Sequence, residues 1–394
     1  DPILCAIKNS GIKNTINDKV NILFLPYYID ENDGVTNLSY FDFLTAFDLS
    51  IFPSYYEPWG YTPMESMAFG IASITTSLAG FGLWVKDNIN DKNNALTVIN
   101  RDDNNMEACV NDIVNRTYAI INSEDNYKQT LKEEAVEIFN KVTWKELANY
   151  YYNVYDMAIE KANSRVDKYI HKQPLYKKMT YSSCWGNTPS WKKILVKLSL
   201  PERLSGLQKL SQNLWWSWNY DAFELFCKID KQKFFKFERS PIHLIESLTQ
   251  EDYNRLLNDK DFLNDLDNVM NHFNTYLQQR EKKDKDIIAY FSMEFGIHDT
   301  LKIFSGGLGM LAGDYLKQAS DSNKNIVGIG LLYRQGYFTQ HITKEGIQES
   351  ERFNQKFSHL PIQAVRDENG KWRKISINLP SRTLFAKIWR CDIG

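Results

Sequence analysis

The chain has 394 residues, too many for one ordinary domain and suited to two or three. Hydrophobic residues make up 43% and charged residues 24%, which excludes a disordered chain and points to a well-cored protein. The formal net charge of -2 supplies no pull toward nucleic acid or an anionic membrane, so neither is expected as a partner.

Five scattered cysteines, Cys5, Cys109, Cys184, Cys227 and Cys391, show no CxxC spacing. They suggest neither a disulfide framework nor a metal site, and they fit a cytoplasmic location. No apolar run reaches the roughly 20 residues of a membrane span, and no signal peptide is visible. The chain starts without Met and stops just after the strand-like run Leu384–Trp389, so both ends read as cuts.

Val20 to Leu25, closed by Pro26, reads as a buried strand. Asp48 to Phe52 is a second strand. The loop Ser54-Tyr-Tyr-Glu-Pro-Trp-Gly-Tyr61 follows, then a helix from about Pro63 to Phe69, a strand over Ile71 to Thr76, and the glycine-rich Ala79-Gly-Phe-Gly82. Strand, loop, helix, strand is the order of a parallel α/β sheet. Residues 106–122 and 126–141 are expected helices. In Trp144–Ala162 the positions Trp144, Leu147, Ala148, Tyr151, Val154, Tyr155, Ala158 and Ile159 form one apolar face. That helix is expected to pack on the lobe before it. Residues 163–194 lose periodicity and read as a linker. Residues 195–285 are expected to be mostly helical, ending in the charged run Lys282–Asp286, expected at the surface. From residue 286 the α/β order starts again, with strands over Ile287–Phe291 and Ile326–Tyr333 around a helix over Gly307–Ser320.

Glu57 and Glu65 flank a loop and a helix start. Thr62, Pro63 and Glu65 form a capping-box pattern with Pro at the first helical position. N–H groups at such a start favour a phosphate, and a carboxylate beside it can accept hydrogen bonds from sugar hydroxyls. Glu65 as a plain capping residue is the alternative. The full string Phe52-Pro-Ser-Tyr-Tyr-Glu-Pro-Trp-Gly-Tyr-Thr-Pro-Met-Glu65, with Leu78-Ala-Gly-Phe-Gly82 behind it, closely resembles the UDP-glucose-using glycogen synthases of glycosyltransferase family 3. The resemblance covers residues 1–162. It implies the C-terminal lobe of the GT-B fold, in which two Rossmann-like lobes flank a cleft. It places Glu57 at the donor glucose and reaction centre, and Glu65 on the nucleotide ribose. It lays the backbone around Trp59, Gly60 and Tyr61 against glucose and diphosphate, and it puts Tyr40 where the family stacks an aromatic on uracil. For Tyr40, a core tyrosine before a helix is the alternative. The family's diphosphate-neutralising basic residues fall before residue 1. Its arginine-rich regulatory helix is replaced here by Lys132-Glu-Glu-Ala-Val-Glu-Ile-Phe-Asn140, so activation by glucose-6-phosphate is not expected.

Ser305-Gly-Gly-Leu-Gly309 opens a helix, a generic phosphate-loop signal or a tight turn. Together with Tyr290-Phe-Ser-Met-Glu-Phe295 and Gly328-Ile-Gly-Leu-Leu-Tyr-Arg-Gln-Gly-Tyr-Phe338 it resembles the α-glucan phosphorylases of glycosyltransferase family 35. Upstream, Asn213-Leu-Trp-Trp-Ser-Trp-Asn219 resembles the helical leader of the shorter members. The tryptophans could form a sugar platform; a structural aromatic knot is preferred. The resemblance implies that Gly306, Gly307 and the Leu308 backbone line the phosphate and glucose site. It also implies pyridoxal phosphate in the complete module, held by a lysine beyond residue 394, and no metal.

The expected architecture is therefore α/β: a partial GT-B C-terminal lobe, a linker, a helical block and the start of a second GT-B N-terminal lobe. The expected ligands are glycogen or maltodextrin, UDP-glucose, and phosphate or glucose-1-phosphate. The isolated chain is expected to be inactive, with both active sites incomplete. The alternatives are a non-catalytic glucan-binding scaffold, or a transferase using another nucleotide sugar.

Overall fold

The structure is a computed structural model that describes residues 2–25, 29, 35–89, 93–164, 200–279, 287–345, 347–379 and 382–394. Residues 165–194 of the expected linker and the Lys282–Asp286 run lie outside the described residues. The chain divides into two compact units, Asp1–Thr143 with Thr339–Ser350, and Trp144–Phe338 with Glu351–Gly394.

The first unit runs α1 (Pro2–Asn9), α2 (Tyr40–Leu44), β1 (Leu49–Ile51), α3 (Tyr61–Ala68), β2 (Ala72–Thr76), α4 (Gly80–Asn88), β3 (Leu96–Ile99), α5 (Met106–Ile121) and α6 (Asp125–Lys141). The strands form a parallel sheet in the order β1-β2-β3, with Leu49 opposite Ala72 and Ser73 opposite Leu96. Every residue of the central β2 is buried, as expected of a parallel strand covered on both faces. Ala72 packs with Ile120 and Leu131, and Ile74 with Ile99 and Cys109, so α5 and α6 seal the sheet.

Val20 to Leu25 is not a strand. Val20 and Leu23 are exposed, and the Asn14 amide, bonded to both the N–H and the carbonyl of Ile22, takes the place of a ladder partner. An apolar run becomes a strand only where a neighbouring backbone completes its hydrogen bonds.

The second unit opens with α7 (Trp144–Asn163) and continues with α8 (Ser205–Ser211), α9 (Tyr220–Lys236), α10 (Pro241–Glu246), α11 (Gln250–Asn258) and α12 (Lys260–Gln278). Then come β4 (Ile288–Phe291), α13 (Gly307–Asp321) and β5 (Ile326–Ile329). β4 and β5 are parallel, with Tyr290 opposite Gly328. β6 (Thr339–Ile342) pairs with β7 (Gln348–Glu351), the two lying, Glu351 aside, in the Thr339–Ser350 stretch that belongs to the first unit. β8 (Ile362–Ala364), β9 (Lys374–Leu379), β10 (Arg382–Lys387) and β11 (Trp389–Cys391) form the antiparallel pairs β9-β10 and β8-β11. A single core joins Leu207, Trp216, Phe226 and Phe273 of the helical block to Phe295, Ala312 and Leu316 of the α/β part.

Two expectations change here. β5 ends at Ile329 instead of running to Tyr333, where Gly330 passes directly over the Phe295 ring. The aromatic face of α7 is engaged within the second unit: Trp144, Tyr151 and Tyr155 surround Tyr315 of α13, with ring centroids 5.6, 5.1 and 6.4 Å away. The periodicity marked the helix, but of its apolar face only Ala148 is buried while Tyr151 and Val154 remain exposed, and it carries no information about which element meets that face.

Candidate functional site

In the first unit the candidate residues gather at the carboxyl ends of the parallel strands, where open α/β sheets bind ligands. The loop after β1 is fixed along its backbone. The Thr76 hydroxyl donates to the Ser54 carbonyl at 2.6 Å, and the Glu57 N–H donates to Leu78 O at 3.1 Å. The Glu57 and Trp59 carbonyls accept from the Gly80 and Phe81 N–H groups at 3.0 and 2.6 Å. These last bonds use donors of the first turn of α4, so loop carbonyls cap that helix. Trp59 anchors the same corner through its ring, 5.8 Å from Phe81 and 6.4 Å from Trp84. A Cβ on Gly80 would collide with the Pro58 carbonyl oxygen, so the loop seats itself against bare backbone.

The start of α3 is treated differently. The helix begins at Tyr61, two residues earlier than the Thr62 capping pattern implies, and its N-cap is Gly60 at φ 113°. That backbone angle suits glycine. No side chain caps this start, so the expected capping box is absent and Glu65 is released from it. Glu65 instead accepts a hydrogen bond from the Tyr40 hydroxyl. Burial, and then the Glu65 charge, push the Tyr40 phenol up to about 12. Tyr40 sits at the first position of α2, whose N-cap Ser39 accepts from the Asp42 N–H at 3.1 Å. The Glu57 carboxylate makes no hydrogen bond or ion pair with any described residue. The loop thus holds the backbone of Glu57 at both ends and leaves its carboxylate available.

Arg101, just after β3, was not singled out by the sequence. Its N–H donates to Ser77 Oγ at 3.0 Å, its guanidinium donates to the Pro53 carbonyl, and the same cation lies 5.1 Å from the centre of the Tyr55 ring. Nothing in the local string Val98-Ile-Asn-Arg101 signals this, because all its partners lie on other loops.

In the second unit, Gly306 caps α13 and Gly307 begins it. A Cβ on either would meet nothing within 4 Å, and Leu308 is exposed. Gly309 and Gly313 differ: side chains there would run into Phe304 and into the Gly296 backbone respectively. The glycines of one string therefore serve two purposes, close packing at 309 and 313 and an open backbone at 306 and 307. Glu294, unassigned by sequence, accepts from the Ser305 hydroxyl at 2.8 Å and from its N–H at 3.1 Å, and so fixes the turn. Trp215 and Trp216 are fully buried, so this tryptophan pair is a structural knot.

Among the described residues no helix is long and apolar enough to cross a membrane, and no group of three potential ligands could hold a metal.

Fold and site together define an α/β protein whose candidate loops lie at the carboxyl end of a parallel sheet. The glycogen synthase family model matches residues 1–212 of the 394, and the chain belongs to that family. A family described as a protein of unknown function matches residues 200–301. The chain is 35% identical over 206 residues to maltodextrin phosphorylase of Thermococcus litoralis, covering 50% of this chain and 25% of that protein. It is 36% identical over 192 residues to glycogen phosphorylase of Aquifex aeolicus, covering 48% and 28%. It is 30% identical over 169 residues to glycogen [starch] synthase of Caenorhabditis elegans, covering 43% and 25%. The chain thus spans about a quarter of the length of the curated relatives it matches, and it combines synthase-like and phosphorylase-like sequence.

Proposed function

We propose that the protein is a glucan glycosyltransferase that joins UDP-glucose-dependent chain synthesis to phosphorolysis of α-glucan. Residues 1–162 act as the C-terminal lobe of a GT-B synthase module, and residues 163–194 link it to the next. Residues 195–285 and 286–394 form the helical leader and the beginning of a phosphorylase module. Glu57 works at the donor glucose, Glu65 holds the ribose, and Tyr40 carries the uracil. The Trp59, Gly60 and Tyr61 backbone lies along the glucose and diphosphate.

One observation carries this reading most: an unpartnered carboxylate on a loop pinned by its backbone, beside a helix start that no side chain caps. A carboxylate held in that way can meet a sugar without first breaking a bond of its own. The uncapped N-terminus of α3 favours the negative charge that develops on a departing diphosphate. The Tyr40 hydroxyl keeps Glu65 oriented, ready to accept from ribose hydroxyls.

The open backbone at Gly306, Gly307 and Leu308 suits phosphate or the glucose of glucose-1-phosphate, with glycogen or maltodextrin as the glucan. Pyridoxal phosphate belongs to the complete phosphorylase module. Before, within and after α13, Lys302 pairs with Glu238, Lys317 with Asp314, and Lys324 lies over the Tyr152 ring. None of these three contacts marks a lysine held as the anchor of that group.

The test is glucosyl transfer from UDP-glucose to glycogen by the native full-length protein and its Glu57→Gln variant. The variant is expected to lose at least about a hundredfold in turnover while phosphorolysis by the same preparation persists. Equal transfer by both proteins would remove Glu57 from the reaction. Glycogen binding without transfer or phosphorolysis in the unaltered protein would favour a glucan-binding scaffold. Stronger transfer from ADP-glucose would change the donor.

A further inference from the structure

We propose that Arg101 is a positioning residue, a clamp that ties the three loops at the carboxyl edge of the first sheet and thereby sets the place of Glu57. This rests on the reading of Glu57 given above.

The connections run through one residue. After β2, Ser77 donates its N–H to the Ile99 carbonyl at 2.8 Å, and its hydroxyl accepts from the Arg101 N–H at 3.0 Å. After β3, Asn105 donates to the Asn100 carbonyl at 2.9 Å and accepts from the Asp102 N–H at 2.8 Å, which steadies the stretch that presents Arg101. After β1, the Arg101 guanidinium reaches the Pro53 carbonyl and the Tyr55 ring.

The loop after β1 needs such a tie at one place. Ser54 is held by Thr76, and Glu57 and Trp59 by Leu78, Gly80 and Phe81. Between these fixed points lie Tyr55 and Tyr56, 54% and 80% exposed, and no hydrogen bond joins either to another described residue. The guanidinium over Tyr55 spans this gap, bonded through one edge and stacked through one face. The planar, forked guanidinium fixes both contacts in one rigid geometry, which a flexible lysine ammonium does not reproduce.

The test compares the unaltered protein with Arg101→Ala, Arg101→Lys and Tyr55→Ala. Amide hydrogen exchange of residues 54–60 is read alongside UDP-glucose kinetics. The clamp predicts that exchange at the Glu57 N–H, which is bonded to Leu78, rises by about tenfold in all three variants, while strand amides of β2 keep their protection. It further predicts that kcat falls roughly tenfold to a hundredfold with little change in KM, because Glu57 is misplaced and the donor is still bound. Unchanged exchange in both Arg101→Ala and Tyr55→Ala would overturn the clamp. So would a large rise in KM for Arg101→Ala that Arg101→Lys restores, since that pattern marks a direct contact to the donor's phosphates. Exchange reports on the loop without any turnover. A protein that transfers no glucose but still loosens on Arg101→Ala therefore supports the clamp and counts only against the assigned reaction.

Discussion

Tyr40 and Glu65 show how one hydrogen bond joins two short helices. The phenol of Tyr40 is half-buried at the start of α2, and Glu65 lies in α3; the hydroxyl donates to the carboxylate. Removing the hydroxyl in Tyr40→Phe is expected to destabilise the first unit by about 1 kcal/mol near neutral pH, a charge-assisted bond discounted for its partial exposure. The pH dependence has a definite sign. The folded phenol titrates at about 12, above the ordinary 10.0 of an unfolded tyrosine. Its contribution is fully present below pH 10, where both states are protonated. It is lost as pH rises toward about 12, because the unfolded chain releases its proton first. Thermal melting of the two proteins should therefore differ most near neutral pH and converge as pH approaches about 12. A constant difference across that window would mean that Glu65 and burial do not hold the phenol proton.

At the scale of elements, α4 and α13 are two helix starts built from glycine for opposite reasons. Gly80 is small because the Pro58 carbonyl occupies the space a side chain needs, and Gly306 has open space. Gly80→Ala should force the Glu57–Trp59 stretch away and destabilise the first unit by about 1–3 kcal/mol. Gly306→Ala should shift stability by no more than about 0.5 kcal/mol, since its φ of -167° is ordinary extended backbone. If the turn receives phosphate, the same Gly306→Ala change should still lower phosphorolysis, because a methyl group then stands where the ligand approaches. Denaturant melts and phosphorolysis rates of the two variants separate these roles. A strongly destabilised Gly306→Ala protein would show that this glycine serves the fold.

At the scale of the molecule, the second unit binds a helical block and an α/β segment into one core. Trp216 stands where the two parts meet. It is fully buried, 5.6 Å from the Phe226 ring in α9 and 4.7 Å from the His298 ring in the segment between β4 and α13. Burial lowers His298 to about 4, so the imidazole is neutral against the indole at ordinary pH. Trp216→Ala is expected to cost about 3–5 kcal/mol and to loosen both parts together, measured as coincident loss of exchange protection in α9 and α13. Loss confined to α9 would show two separate cores.

Much of this was legible in residue order. The helices over 106–141 and 144–163, the strands β1, β2 and β4, and helix α13 follow from hydrophobic period and glycine punctuation, which are local properties of the chain. The strings around Glu57 and Gly306 likewise marked the loops that face outward at the ends of strands. Four things were decided only by tertiary structure. Val20–Leu25 has strand composition, but Asn14 and not a neighbouring strand meets its backbone. The aromatic face of α7 was visible, while its partner Tyr315 was not. Thr62 and Glu65 have capping-box spacing, yet Gly60 starts the helix and Tyr40 takes the carboxylate. Arg101 matters through Pro53, Tyr55 and Ser77, which are distant in sequence. Local conformational preference depends on a residue and its near neighbours, so sequence by itself determined where the elements and the candidate loops fall. Which donor meets which acceptor, and which face covers which, depends on backbones brought together from far along the chain.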